Sequence, residues 1–152
     1  MEWYRPVHRK SVSSQEIRAL LTARKSVQQA IINLELSMRG VLRNFGLKLG
    51  HVTRIRYEAR VRELVEQNEI LSTSTEALLR ARSQLRAELA ELDAKIAGLA
   101  KHDDVCRLMM TMAGVGPIVA LTVKSAIDDP TRFARSKDVG PWAGLTPRRT
   151  QS

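Results

Sequence analysis

The sequence predicts an all-α protein: long helices forming a coiled coil or helical hairpin, followed by a small helix–hairpin–helix-like carboxy-terminal domain. Three observations carry this. Leu78, Leu85, Leu89, Leu92, Ile96 and Leu99 recur at steps of seven, four, three, four and three, a heptad run in which Arg82 fills the missing position. An earlier stripe of Leu20, Val27, Ile31, Leu34, Met38, Val41 and Phe45 advances in similar steps, interrupted once by Arg24. No alternating apolar stretch suggests a strand.

The elements follow in order. Ser13-Ser14-Gln15-Glu16 reads as a capping box, with the Ser13 hydroxyl serving the N3 amide and Glu16 reaching back. The helix it opens ends at Gly46 or Gly50, and Arg39 and Arg43 near that end suit the macrodipole. A second helix is predicted from about Thr53 to Leu71, with a basic start at Arg54, Arg56, Arg60 and Arg62 giving way to Glu63, Glu66 and Glu69. The polar cluster Ser72-Thr73-Ser74-Thr75 reads as a break and a new cap before the heptad run, which closes near Gly98. Arg82 and Glu88 read as solvated flanks of that run. Heptads alone leave two arrangements open, a hairpin within one chain and a dimer of two. From Asp103 onward the chain reads as short helices and turns, punctuated by Asp129-Pro130, Pro141 and Pro147.

Charge and composition narrow the function. The chain of 152 residues carries a net charge of +9. The excess is uneven: residues 1–62 hold thirteen bases against four acids, residues 63–104 five against nine, and residues 105–152 seven against three. Two basic surfaces separated by an acidic middle favour a polyanionic partner. Cys106 is the single cysteine, so an intramolecular disulfide is excluded, and it reads as a small core residue. No apolar run approaches the roughly 20 residues of a membrane span, and the amino terminus does not read as a secretory signal. The expectation is a cytoplasmic protein with no membrane partner.

Within the last third, Met112-Ala113-Gly114-Val115-Gly116-Pro117-Ile118 has the spacing of a tight reversal between helices. Glycine tolerates the positive φ such a reversal needs, and Pro117 suits a first helical position. The amides left pointing outward there suit a phosphate oxygen. Gly114, Val115, Gly116 and Lys124, with Arg148 and Arg149 further on, are the candidate nucleic-acid contacts; a plain turn between packed helices is the alternative. Asp103-Asp104 and Asp128-Asp129 are adjacent pairs whose side chains diverge, which suits caps rather than metal ligation. His8, His51 and His102 lack a ligand spacing. Phe133 and Trp142 read as core of the small domain rather than as base-stacking platforms.

Gly114-Val115-Gly116-Pro117, then Ile127 to Phe133, Ser136 to Gly140 and Gly144 to Arg148 together resemble the carboxy-terminal domain of insertion-sequence transposases of the DEDD type, the IS110 group. Trp3 to His8 and Arg43-Asn44-Phe45-Gly46-Leu47 resemble the family's segment directly after its acidic catalytic domain. The resemblance implies three parts: residues 1–12 following an RNase-H-like acidic domain, a coiled-coil region over 13–102, and part of the carboxy-terminal transposase domain over 103–152. It implies DNA and a structured guide RNA as partners, with homo-oligomers joined through the coiled coil. Magnesium is implied for the acidic domain of full-length members, and no cofactor for this chain. Ser152 falls near the family's reactive serine, but as a chain end it has neither base nor fixed geometry. The expected function is that of a transposase fragment, truncated at both ends and inactive by itself, that binds nucleic acid. The alternative is a stand-alone dimerising module that inhibits a full-length relative.

Overall fold

The computed structural model describes residues 8–145, and every regular element among them is helical. Two helices of 33 residues, α1 (Val12–Asn44) and α3 (Glu69–Lys101), dominate. At 1.5 Å per residue each is about 50 Å long. A short α2 (Tyr57–Val65) bridges them at one end. At the other end sit α4 (Asp104–Met109), α5 (Pro117–Ile127), two 3₁₀ turns (Pro130–Arg132 and Ser136–Asp138) and α6 (Val139–Trp142). No described helix is long and apolar enough to cross a membrane.

The helices pair within the chain. The end of α1 meets the start of α3 in one apolar cluster, where Met38, Leu42, Leu71 and Leu79 pack with Tyr57, Val61 and Val65 of α2. The start of α1 meets the end of α3 in a second, where Ile17, Leu20 and Leu21 pack against Ile96, Ala100, Cys106, Ala120 and Leu121. The hairpin is therefore antiparallel, and α5 is its third wall at the second cluster.

Several terminators match the sequence reading and several correct it. α1 ends as Gly46, at φ +74°, donates to the Arg43 carbonyl and Leu47 donates to Leu42; these are the two bonds of a Schellman cap. At the other end the cap is Ser11, whose hydroxyl accepts from the Ser14 amide, so the predicted Ser13 box starts two residues late. Ser72 to Thr75 do not break the chain. Asn68 supplies the cap, accepting from the Leu71 amide, and α3 runs through the cluster. Thr75 satisfies its hydroxyl by donating to the Leu71 carbonyl and is buried. Side chains of this kind can bond back one turn within a helix, so their composition does not by itself end one.

The heptad seam holds through the middle of α3 to Ile96 and slips by one position at its ends, where Leu79 and Ala100 are buried in place of Leu78 and Leu99. The buried residues of α3 are Leu71, Thr75, Leu79, Arg82, Ile96 and Ala100. Leu78, Leu85, Leu89 and Leu92 are half-buried along its flank, and Leu99 is exposed. A 3.6-residue helix drifts about 20° per heptad against a strict seven-residue repeat.

Arg82 is the largest correction, because it is 2% exposed rather than a solvated flank. Its Nε donates to Glu35 Oε1 at 2.7 Å and its Nη1 to Glu58 Oε1 at 3.2 Å, while the guanidinium lies 4.3 Å from the Tyr57 ring centre. One side chain of α3 thereby joins α1 and α2. Arg24, the interruption in the α1 stripe, likewise crosses the hairpin, donating to Asp93 Oδ1 at 2.5 Å. Arg24–Asp93 lies between the two apolar clusters and Arg82 at the edge of the first, and in each a planar fork on a carboxylate sets the relative height of the helices.

Candidate nucleic-acid interface

The reversal between α4 and α5 is built from local bonds. Met112 donates to the Met109 carbonyl and Val115 to Met112. Gly114 makes the change of direction at φ +83°, while Gly116 is extended at φ −98° and serves as the N-cap of α5. Pro117 follows at the first helical position, as the sequence indicates. Ala120 donates back to the Gly116 carbonyl. The amides of Gly114, Gly116, Ile118 and Val119 have no acceptor among the described residues. The turn is exposed at Gly114, and Val115 beside it tucks into the Ile96–Cys106–Leu121 cluster. Its backbone belongs to the surface and its side chain to the core.

Lys124 is placed differently from the expectation. Its ammonium pairs with Asp103, whose other carboxylate oxygen accepts from the Cys106 amide and caps α4. That ammonium ties α5 to the start of α4 and is not presented beside the glycine turn. Burial works to raise the Asp103 carboxyl, but the bonds from Lys124 and Cys106 outweigh it and hold it below its ordinary range. The thiol of Cys106, buried beneath and beside that carboxylate, is pushed up to about 11. Arg148, Arg149 and Ser152 lie outside the described residues, as does most of the Trp3 to His8 segment.

A reciprocal clasp joins the start of α1 to the end of α5, between residues too far apart in the chain for any local pattern to signal it. Lys10 Nζ donates to the carbonyls of Ser125 (3.0 Å) and Ala126 (2.5 Å), capping α5 with a cation. In return Asp128 Oδ1 accepts from the Ser11 hydroxyl, and its Oδ2 from the Ser11 amide, with His8 Nε2 at 2.8 Å. These bonds hold the Asp128 carboxyl far below its ordinary range, the Ser11 hydroxyl contributing most. They also hold its backbone at φ +64°, a conformation that L residues rarely adopt. Asp129 caps the following 3₁₀ turn by accepting from Thr131. One aspartate of each pair caps the element that follows, Asp103 for α4 and Asp129 for the 3₁₀ turn, while Asp104 pairs with Arg107 and Asp128 with Ser11.

Phe133 and Trp142 meet edge to face at 5.4 Å, with the Arg132 guanidinium 4.7 Å and 4.5 Å from their ring centres. Trp142 nevertheless stays 47% exposed, so the core expectation holds only for one side of its ring. Arg132, Arg18 and Lys10 converge on this corner. Burial first, then the charges of Arg18 and Arg132, lower the Lys10 ammonium from its ordinary range.

Residues 106–152 match the model of the family described as Transposase IS116/IS110/IS902. The chain is 28% identical, over 96% of its length, to the transposase for insertion sequence element IS1111A of Coxiella burnetii, covering 41% of that protein. It is 28% identical, again over 96%, to a probable family 20 transposase of Pseudomonas aeruginosa, covering 44%. A putative transposase of Sinorhizobium fredii, y4pF/y4sB, is 32% identical over 43% of the chain, which covers 17% of that relative. The chain thus spans less than half the length of these curated relatives. No solved structure matches it significantly. The carboxy-terminal third of the chain thus resembles the IS116/IS110/IS902 transposases, and nearly the whole chain is similar to part of two longer transposases.

Proposed function

We propose that the chain serves insertion-sequence transposition as a nucleic-acid-binding arm, with the α4–α5 turn resting on a phosphate backbone. The observation supporting this is the coincidence of the family match, residues 106–152, with a turn at the positive end of a helix where the amides of Gly114, Gly116, Ile118 and Val119 lack acceptors among the described residues. Contacts of that kind hold a backbone without reading sequence. The net charge of +9 supplies the long-range attraction. DNA is the first partner, a structured guide RNA the second, and further copies of the chain assemble along the half-buried flank of α3.

Catalysis is not assigned to this chain. Many of the described acids are caps or ion-pair partners, and the proposal places no magnesium chemistry on them. Titration of labelled DNA duplex and of a structured RNA tests the reading. Non-specific affinity of about 10⁻⁴–10⁻⁶ M, falling steeply with salt, is expected. Absence of binding to both at low salt overturns it.

A further inference from the structure

We infer that the cleft between α1, α5 and α6 seats a single strand of nucleic acid, with phosphates on Arg18 and Lys25 and a base against Trp142. This rests on the nucleic-acid reading above and adds a second, separate surface to the glycine turn. The cleft has a volume of about 670 Å³ and is lined by Lys10, Arg18, Arg24 and Lys25, with no carboxylate among the described residues of its lining. Two of these cations are already employed: Arg24 by Asp93, and Lys10 by the end of α5. Arg18 and Lys25 have no ion-pair partner among the described residues. They stand seven residues apart, two turns or about 10 Å along one face of α1.

Two details give the occupant its chemistry. Arg132 Nε and Nη2 are shut off from water and have no hydrogen-bond partner among the described residues, and the guanidinium lies against the two aromatic rings behind Trp142. Like charges gathered at a low-dielectric corner repel, and a polyanion in the cleft relieves that repulsion. The exposed side of Trp142 then forms one wall of the same cleft. A cationic groove with an aromatic wall is what an unstacked base on a tracked backbone requires; a duplex keeps its bases inside.

The test uses the full chain and a labelled 20-nucleotide single strand, with its duplex and inorganic phosphate as comparisons. Arg18→Glu with Lys25→Glu is expected to weaken single-strand binding about tenfold or more, and to flatten the log–log salt slope by about 1.4 for two lost phosphate contacts. Lys48→Glu with Arg54→Glu, a matched change in exposed charges near the hairpin's far end, is expected to cost much less. In a Trp3→Phe background Trp142 is the single tryptophan, and the strand is expected to quench it while millimolar phosphate does not. Equal losses from the two charge pairs, an unquenched Trp142, or a cleft variant that binds like wild type each overturn the inference. If wild type binds no nucleic acid at all, the broader reading fails first; if it binds and the cleft variants are silent, only the cleft is refuted.

Discussion

Arg82→Ala is the most telling perturbation of the fold. The guanidinium is 2% exposed and makes two charge-assisted contacts, at 2.7 Å to Glu35 and 3.2 Å to Glu58, besides its stack on Tyr57. Truncating one partner of a buried pair costs about 3–5 kcal/mol. Glu35 and Glu58 keep side-chain exposures of 27% and 33%, so water re-solvates them once the arginine is gone. That places the loss at the lower end, about 3 kcal/mol. At about 2–4 °C per kcal/mol for a chain of this size, the midpoint falls by about 6–12 °C. Urea unfolding followed by helical circular dichroism gives the free energy. A double-mutant cycle with Glu35→Ala isolates the pair, with an expected coupling of about 1–3 kcal/mol. A loss below about 1 kcal/mol with coupling near zero refutes the argument that this side chain holds three helices together.

Gly114→Ala is expected to cost about 1–2 kcal/mol through its positive φ alone, since open space surrounds the site. Gly116→Ala, in extended backbone but at the N-cap of α5 where Gly is preferred to Ala, is expected to cost less, about 0.5–1 kcal/mol; a larger loss at Gly116 than at Gly114 in the same unfolding assay contradicts this. Asp128 has a carboxyl depressed in the folded state, so its stabilisation is present above the ordinary carboxylate range and is lost as pH falls through the folded value. Acid unfolding should therefore show wild type losing stability below about pH 4 more steeply than Asp128→Asn, and parallel curves would remove Asp128 from the clasp. Cys106, its thiol raised to about 11 and its side chain buried, is expected to react with a disulfide reagent at pH 8 only as fast as the helices open. Immediate labelling of the folded protein contradicts that burial.

The helical class, the end of α1 at Gly46 and the reversal before Pro117 were legible because each depends on bonds within a few residues of sequence. Local chemistry failed where the deciding partner is distant. Ser11 outranks Ser13 as the cap because Asp128, 117 residues away, fixes Ser11 in place. Ser72 to Thr75 remain helical because the face carrying Thr75 is covered by the rest of the fold. Arg82 reads as surface by residue type, and only the convergence of Glu35 and Glu58 from two other helices makes its burial tolerable. The candidate interface was half legible. The glycine turn is a sequence pattern, whereas the α1–α5 cleft joins Arg18 and Lys25 to Trp142 across more than a hundred residues.

The two apolar clusters at the ends of the α1–α3 hairpin also bear on how the molecule opens. Between them the seam is thinner: Ile31 is buried, but Val27, Leu85, Leu89 and Leu92 are only half-buried, and Arg24–Asp93 bridges the helices there. Each layer of such a rod couples its neighbours by burying them, so a thinner middle transmits less of that coupling. Hydrogen exchange is expected to give the α2 end and the α5 end different opening free energies, so that the end bearing the glycine turn and the clasp can order around a ligand while the far tip opens and closes on its own schedule.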